Sequence, residues 1–407
     1  MSMSEPFAHG ILQDLVDGES GIKSGPFGTS LSASEYGREG VPVISVGEVG
    51  YGEFRVRPET PRVDATVTSR LGDYVLRKGD IVFGRKGAVD RSAWVSDDQA
   101  GWFLGSDGLR VRVRSGVDSR FVSFQLRAPS SRSWLLQHAG GSTLLSLNQT
   151  TLGRVPMLIP SLAEQRGIAE VLGALDDKIA ANTRAAGAAE AVLRAEIDLT
   201  WLTRDDRSAS IADYLELNPS VPMPQADSAI YIDMKRLPES GWSIDGFDMR
   251  RPKGGARFLN GDTLLARITP CLENRKTGYV DQLERGQVAV GSTEFIVLRS
   301  RPGVAAPLSF LLATAPRFRD FAIQHMVGTS GRQRVAASDL AEYRIPKPDP
   351  AWLQDFGDRA IRLFETVASQ TRESRTLAAT RDALLPQLMS GKLRVRDAEA
   401  IAADAGA

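Results

Sequence analysis

Five short clusters of glycine, hydroxyl and basic side chains are the places where this chain could do chemistry. Three lie in its first half: KSGPFGTSL from Lys23 to Leu31, GRKGAVDR from Gly84 to Arg91, and GGSTLLSLNQTT from Gly140 to Thr151. Two lie in its second half: ARITPCLENRK from Ala266 to Lys276, and GTSGRQRV from Gly328 to Val335. Glycine lets a backbone approach a phosphate closely, and serine and threonine donate to phosphate oxygens. Arginine grips guanine edges with two bonds, and asparagine or glutamine does the same for adenine. The chemistry on offer is recognition of duplex nucleic acid. The candidate contacts in the first half are Lys23, Thr29, Ser30, Arg85, Lys86, Arg91, Ser142, Thr143, Asn148 and Gln149. Those in the second are Arg267, Asn274, Arg275, Lys276, Ser330, Arg332, Gln333 and Arg334. Any one of them is equally well explained as part of a turn. The weight lies in the clusters together, at matched positions of an internal repeat.

Other chemistries lack their motifs. No G-x-x-x-x-G-K-[ST] loop is present for a nucleotide triphosphate, and no G-x-G-x-x-G follows a strand. The Asn-Pro-Pro-Tyr type of element that amino-methyltransferases carry is missing; Asn218-Pro219-Ser220 is the nearest approach. Three histidines and one cysteine cannot assemble a zinc site of the usual spacing. Asp176-Asp177-Lys178 resembles a scrap of a metal-dependent nuclease site, but it sits on a helix pattern and reads as a charged, solvated face. His138 and His325 recur in the repeat without a nucleophile beside them, and read as packing or helix-end histidines. No catalytic residue and no metal ligand is expected.

The elements that must position these clusters are laid out twice. Ile159-Pro160 and Ile345-Pro346 lie 186 residues apart, each opening a long helical pattern. Upstream, Gly79-Asp80 answers to Gly261-Asp262, Gly105-Ser106 to Gly291-Ser292, and Gln137-His138 to Gln324-His325, at offsets of 182, 186 and 187. Loops that differ by a few residues produce such drift, whereas chance matches scatter. The copies differ most in the polar clusters, as one scaffold carrying two different reading heads would. Residues 1–158 and 207–345 read as two mainly β domains, with short strands such as VPVISVGEV and STEFIVLRS punctuated by turns. A duplicated module can present two similar surfaces about a pseudo-two-fold axis, the arrangement needed for two separated half-sites on a duplex.

Between and after the globules come two spacer helices, within 159–206 and 346–395, and then a small, acidic tail, 396–407, expected to be flexible. The first helix, over residues 161–202, has a capping box, Ser161 with Glu164, after Pro160. Its seam steps by four and three through Ile168, Leu172, Leu175, Ile179, Asn182, Ala186, Ala189 and Leu193. The second helix, over 350–390, repeats it with Phe356, Ala360, Leu363, Val367, Gln370, Ser374 and Leu377. Pro386 is expected to kink or end it, and Gly391 to follow as its stop. The two helices are expected to pair as an antiparallel coiled coil, with Asn182 and Gln370, equivalent under the repeat, facing each other and fixing register. The fold class is α+β.

The bulk figures set bounds. A chain of 407 residues is too long for one ordinary domain. Hydrophobic residues make up 42% and charged ones 25%, as in soluble globular proteins, and no apolar run is long enough to span a bilayer. The start, MSMSEPFAHG, lacks the features of a secretory signal, and one cysteine allows no internal disulfide; a cytoplasmic location is expected. Fifty basic residues balance fifty acidic ones. That argues against a protein that wraps nucleic acid unaided and for a partner that shares the phosphate contacts.

These segments resemble a specificity subunit of a type I restriction-modification system over nearly the whole chain. KSGPFGTSL followed by EGVPVISVGEV resembles the opening of that family's target-recognition domain. KGDIVFGRKGAVDRSAWV and NGDTLLARITPCLENRKTGYV resemble its middle strands, IPSLAEQRGIAEVLGALDDKIAAN its first shared helix, and LLPQLMSGKLRV its ending. The second globule departs: it lacks the G-P-F-G-S element and opens in the family's other common way. The second helix has WLQDFGDR where the family usually keeps a Gln near the helix start, with Gln354 close by.

The resemblance implies a non-catalytic subunit that reads a bipartite, asymmetric site in double-stranded DNA, one half per recognition domain. The helices would act as a ruler for the unread spacer and would bind two methyltransferase subunits. Restriction/translocase subunits would join through that complex. S-adenosylmethionine, ATP and Mg would sit on those partners, and no cofactor on this chain. A specificity subunit of another phage-defence complex, an orphan competitor for methyltransferase subunits, and a coiled-coil scaffold without a DNA role are the alternatives.

Overall fold

The computed structural model describes residues 7–141, 143–329 and 331–406. Two compact units emerge. The first combines residues up to Ile179 with those from Arg375 onward, and the second is the continuous stretch Ala180–Ser374. Each unit therefore holds one globule and part of each long helix.

The repeat is a repeat of topology. In the first unit an antiparallel sheet runs in the order Ile22–Ser24, Gly108–Val111, Ile81–Gly84, Ser92–Trp94. In the second the order is Leu215–Leu217, Phe295–Ser300, Thr263–Ala266, Thr277–Tyr279. A smaller sheet accompanies each, with one parallel pairing: Val41–Ile44 beside Phe103–Leu104, and Ala229–Ile232 beside Ala289–Gly291. An antiparallel pair joins the start of each globule to its end, Ala8–Ile11 with Pro156–Ile159 and Ala209–Ser210 with Arg344–Ile345.

The duplicated Gly-Asp pair shows why the strands enter these sheets as they do. Gly79 and Gly261 turn the chain at φ of +87° and +89°, where a side chain would strain the backbone. Asp80 and Asp262 follow, each only 1% exposed. Asp80 accepts from the Arg77 N–H at 2.8 Å and takes both prongs of Arg112 at 2.7 Å. Asp262 accepts from Leu259 N–H at 2.7 Å and takes Arg299 at 2.7 and 2.6 Å. A carboxylate so deeply buried would be costly unpaired; here each stitches a turn to the neighbouring strand.

The first long helix, Leu162–Ile197, starts at the expected capping box: Ser161 N–H donates to Glu164 Oε2 at 3.2 Å, and Glu164 N–H to Ser161 Oγ at 3.3 Å. It stops short of residue 202, because the backbone widens into a π turn over Asp198–Leu202. The second, Pro350–Met389, carries Pro386 inside its last turn, and Gly391 follows at φ +68°. Within each unit the helix segments run antiparallel: Asp176 meets Arg381 in the first, and Glu196 meets Arg359 in the second. Ile168, Leu172 and Leu175 are buried with Leu377, Leu384 and Leu388 in the core of the first unit. Each fully buried leucine contributes about 1.5–3 kcal/mol.

The seam departs from strict heptads in the second unit. Phe364 is buried and Leu363 only half so, whereas Val367 stays buried. The cause is the globule: Phe364 stacks on Trp242 at 3.9 Å, so this helix turns its face toward the sheet as well as toward its partner helix. Ile179 is half-buried. The tail corrects the expectation of a frayed end. Val395–Asp404 is helical and buries Ala398 and Ala402 in the first unit's core, with Val395 against Gly167. Its alanines, which looked too small to anchor a segment, suit a close helix packing.

Candidate nucleic-acid interface

In the first unit, backbone pairing draws the clusters together. Leu147 N–H donates to Arg85 O and Gly87 N–H to Leu145 O, both at 2.8 Å, and Gly140 pairs with Ser146 to close the loop between them. The third cluster joins through side chains. Arg85 stacks its guanidinium 4.3 Å over the Phe27 ring, and Gln149 Nε2 donates to Ser24 Oγ at 3.1 Å. Gly25 is tightly placed, since a Cβ there would lie 1.8 Å from the carbonyl oxygen of Gly105. Lys86, Thr143, Asn148 and Gln149 are exposed; Lys23, Ser30, Arg85 and Arg91 are half-buried.

Some of these groups already have work inside the globule. Lys23 pairs with Asp73 at 2.8 Å and lies over the Tyr74 ring, and its hydrogen bond holds the Asp73 carboxyl below the usual carboxylate range. Asn148 Oδ1 caps the short helix Gln149–Gly153 by accepting from Thr151 N–H at 2.8 Å. Ser30 offers its carbonyl to Arg70. Lys86 reaches Asp107 at 3.2 Å. Arg91 and Arg132 both lie over Tyr51, and Arg132 also pairs with Asp90 at 2.7 Å. Ser142 and Ser330 lie outside the described residues, as does the Thr29 side chain.

The second unit joins its two clusters in the same way. Ile268 bridges Arg334 where Lys86 bridges Ser146, and Val327 bridges Arg334 where Gly140 bridges Ser146. Thr269 N–H donates to Gln333 O at 3.1 Å and Val335 N–H to Arg267 O at 3.0 Å. Glu294 stands in the place of Asp107: Arg267 N–H donates to its carbonyl as Arg85 N–H does to that of Asp107. Arg334 spends its fork on Glu294, at 2.9 Å from Nε and 2.7 Å from Nη2, and that pairing holds the Glu294 carboxyl down. Arg334 is thus first a brace for its loop. Lys276 Nζ donates to Met234 O at 3.1 Å. Asn274, Arg275 and Arg332 are exposed, with Arg275 at φ +66°; Arg267 and Gln333 are half-buried.

On the helices, Leu172, Leu175, Val367 and Leu377 are buried, and Leu363, Ile179 and Gln370 half-buried. Asn182 meets the second helix at Gln370, through backbone rather than side chain. Its Nδ2 donates to Gln370 O at 3.3 Å, Glu373 Oε2 at 2.7 Å and Ser374 Oγ at 3.1 Å.

Asp176 and Asp177 are held by arginines. Asp176 lies between Arg127 and Arg381, and Asp177 faces Arg120 at 3.0 Å, so the expectation of a solvated face fails for Asp176. Among the described residues no group of three or more His, Cys, Asp or Glu is arranged to hold a metal ion. His138 and His325 each place Nδ1 2.8 Å from the carbonyl four residues back and lie against Trp134 and Phe321, at helix ends. Sequence reasoning passed over the exposed Phe27, Tyr51 and Leu144, which stand among the basic groups. Phe27 and Leu144 lay in full view within KSGPFGTSL and GGSTLLSLNQTT; Tyr51 carried no local signal.

Residues 27–187 match the family described as the type I restriction modification DNA specificity domain. The specificity subunit of the Escherichia coli type I restriction enzyme EcoAI is 30% identical over 141 residues, 33% of this chain and 23% of that protein. That of EcoEI, also from Escherichia coli, is 37% identical over 98 residues, 24% of this chain and 16% of that protein. These matches span less than a quarter of either relative. The MjaIX specificity subunit of Methanocaldococcus jannaschii is 23% identical over 329 residues, 72% of this chain and 73% of that protein. The fold is that of the S subunit of a type I restriction-modification system from M. genitalium, at a TM-score of 0.57 and 14% identity, over 95% of this chain and 97% of that one. No helix among the described residues is long and apolar enough to cross a membrane. Residues 27–187 thus match the type I restriction modification DNA specificity domain, and the chain shares its fold with the M. genitalium S subunit along nearly its whole length.

Proposed function

We propose that this chain reads a bipartite, asymmetric site in double-stranded DNA, one half with each unit, as the specificity subunit of a type I restriction-modification complex. The observation that carries this reading is the matched pair of loop clusters. The same strand order, the same buried Asp–Arg stitch and the same loop-to-loop bridge recur, yet Lys86 and Ser146 in one unit stand where Ile268 and Arg334 stand in the other. One scaffold with different side chains at its tips is what two unlike half-sites require. Exposed Lys86, Asn148 and Gln149 are the candidate readers of the first half, and Asn274, Arg275 and Arg332 of the second; Lys23 and Arg334 position their loops.

This chain supplies no catalytic group in this reading. Two methyltransferase subunits dock on the long helices, bring S-adenosylmethionine and extrude the target adenine; restriction/translocase subunits join through them. The helices hold the halves at a fixed spacing. The balanced charge of the chain fits a protein whose partners share the phosphate contacts. The test is a genome-wide map of adenine methylation with the gene intact and deleted. Loss of one bipartite motif on deletion supports the reading. An unchanged methylome, in a host whose methyltransferase is active, refutes it.

A further inference from the structure

The second globule lacks the Lys-Ser-Gly-Pro-Phe-Gly-Thr-Ser segment, and the structure points to what stands in its place. In the first unit that segment seats Gly25 against the carbonyl of Gly105, two residues before Asp107, which takes the Arg85 N–H on its carbonyl and Lys86 on its carboxylate. The residue equivalent to Gly105 is Gly291, one step from Ser292, whose Oγ accepts the N–H of Glu294. A different part of the chain approaches this second carbonyl. A Cβ on Gly255 would lie 2.2 Å from Gly291 O, and Gly255 has a φ of +96°. Only glycine fits at either place.

Gly255 ends a crossing segment. It links Asp248–Arg250, at one edge of the smaller sheet, to Ala256–Phe258 at the other. Arg251, Lys253 and Arg257 are all exposed, and none pairs with a described acid. Other arginines of this unit are engaged: Arg236 and Arg250 with Asp248, Arg299 with Asp262, Arg334 with Glu294. Three uncompensated cations thus sit in a short stretch that the backbone anchors beside the reading cluster. In water such a concentration is repulsive, and it suits a polyanion.

We propose that Arg251, Lys253 and Arg257 form a DNA-backbone strap for the second unit, gripping phosphates beside its reading cluster. This rests on the reading of the chain as a DNA-specificity subunit. Phosphate contacts fix register without carrying sequence, so the strap adds affinity and leaves the half-site unchanged.

The test measures DNA affinity of the full chain, assembled with its methyltransferase partner, against salt concentration. Wild type is compared with R251A/K253A/R257A and with the charge-keeping R251K/R257K. Each lost phosphate contact lowers the slope of log affinity on log salt by about 0.9, so the triple variant is expected to lose about 2–3 from that slope. The lysine variant is expected to keep it, and the methylated motif to stay the same. All three side chains are exposed, so a thermal melt should match wild type and serve as the folding control. A wild-type slope with an unaltered triple-variant slope overturns the strap alone. So does a change in the second half-site, which would make these residues base readers, or loss of partner capture at an unchanged slope, which would make this a protein surface. Absence of salt-dependent binding by the wild-type complex would instead overturn the DNA reading itself.

Discussion

Replacing Asp176 with alanine is expected to loosen the first unit where its globule meets its pair of helix segments. The carboxylate is shared: Oδ2 accepts from Arg127 Nη1 at 2.6 Å and Oδ1 from Arg381 Nη1 at 2.7 Å. Arg127 belongs to the globule and Arg381 to the second long helix, so one acid ties three elements. The side chains of Arg127, Asp176 and Arg381 are 12%, 19% and 17% exposed, so water screens them weakly. Burial opposes ionisation of Asp176, but the two guanidiniums outweigh it and hold the carboxyl below its ordinary range. Removing one member of a buried pair costs about 3–5 kcal/mol through the charge left behind. Arg381 keeps Asp382 at 2.8 Å and both arginines keep some water, so about 2–4 kcal/mol is expected. In a body of this size that moves the melting midpoint by roughly 5–15 °C.

Scanning calorimetry at pH 7 measures the shift, and hydrogen exchange assigns it to the first unit. A depressed carboxyl contributes stability that is fully present above its unfolded pKa of about 3.9 and is lost as pH falls through the folded value. The gap between wild type and variant should therefore be full at pH 7 and close only in acid. The apolar triple R127M/D176L/R381M should recover most of the loss. An unchanged midpoint at pH 7, or a gap that widens in acid, would refute the argument.

Asp80→Asn and Asp262→Asn should each cost their own unit about 2–4 kcal/mol, read as lost exchange protection near residues 77–112 in one and 259–299 in the other; protection lost equally in both would count against the duplicated stitch. Lys86→Ala should weaken discrimination in the first half of the methylated motif by about 1–3 kcal/mol, and Arg332→Ala in the second. If either change alters both halves, the two-reader scheme is wrong. Gly25→Ala must push back the Gly105 carbonyl and should abolish reading of the first half while the helices keep their circular dichroism; a wild-type motif would show that the close approach does not matter. Asn182→Ala forfeits three acceptors across the helix pair and should destabilise the second unit by about 1–3 kcal/mol, measured by denaturant midpoint.

The repeat made the architecture legible, because backbone features survive divergence of side chains. Gly79-Asp80 and Gly261-Asp262 mark the same turn in both copies, and the structure shows why the aspartate is needed there. The loop clusters were legible as clusters. Their internal partners were not: Arg334 finds Glu294 forty residues earlier, and nothing local announces it. Leu363 and Phe364 are adjacent apolar residues, and only the position of Trp242 decides which is buried. The alanine-rich tail looked too polar and too small to fold, yet its size is what lets it pack. The crossing segment at Arg251–Gly255 escaped notice because its meaning lies in which carbonyl it reaches.

The division of the chain into units has a consequence for its birth on the ribosome. The second unit is one uninterrupted stretch, Ala180–Ser374, and can close as soon as it emerges. The first cannot: Leu172 and Leu175 share a core with Leu377, Leu384 and Ala398, which are synthesised last. At ordinary elongation rates roughly 10–40 s separate the two sides of that core. The globule made first is therefore finished second, and waits with an apolar face open to chaperones. A premature stop near residue 374 would spare the later reader and orphan the earlier one.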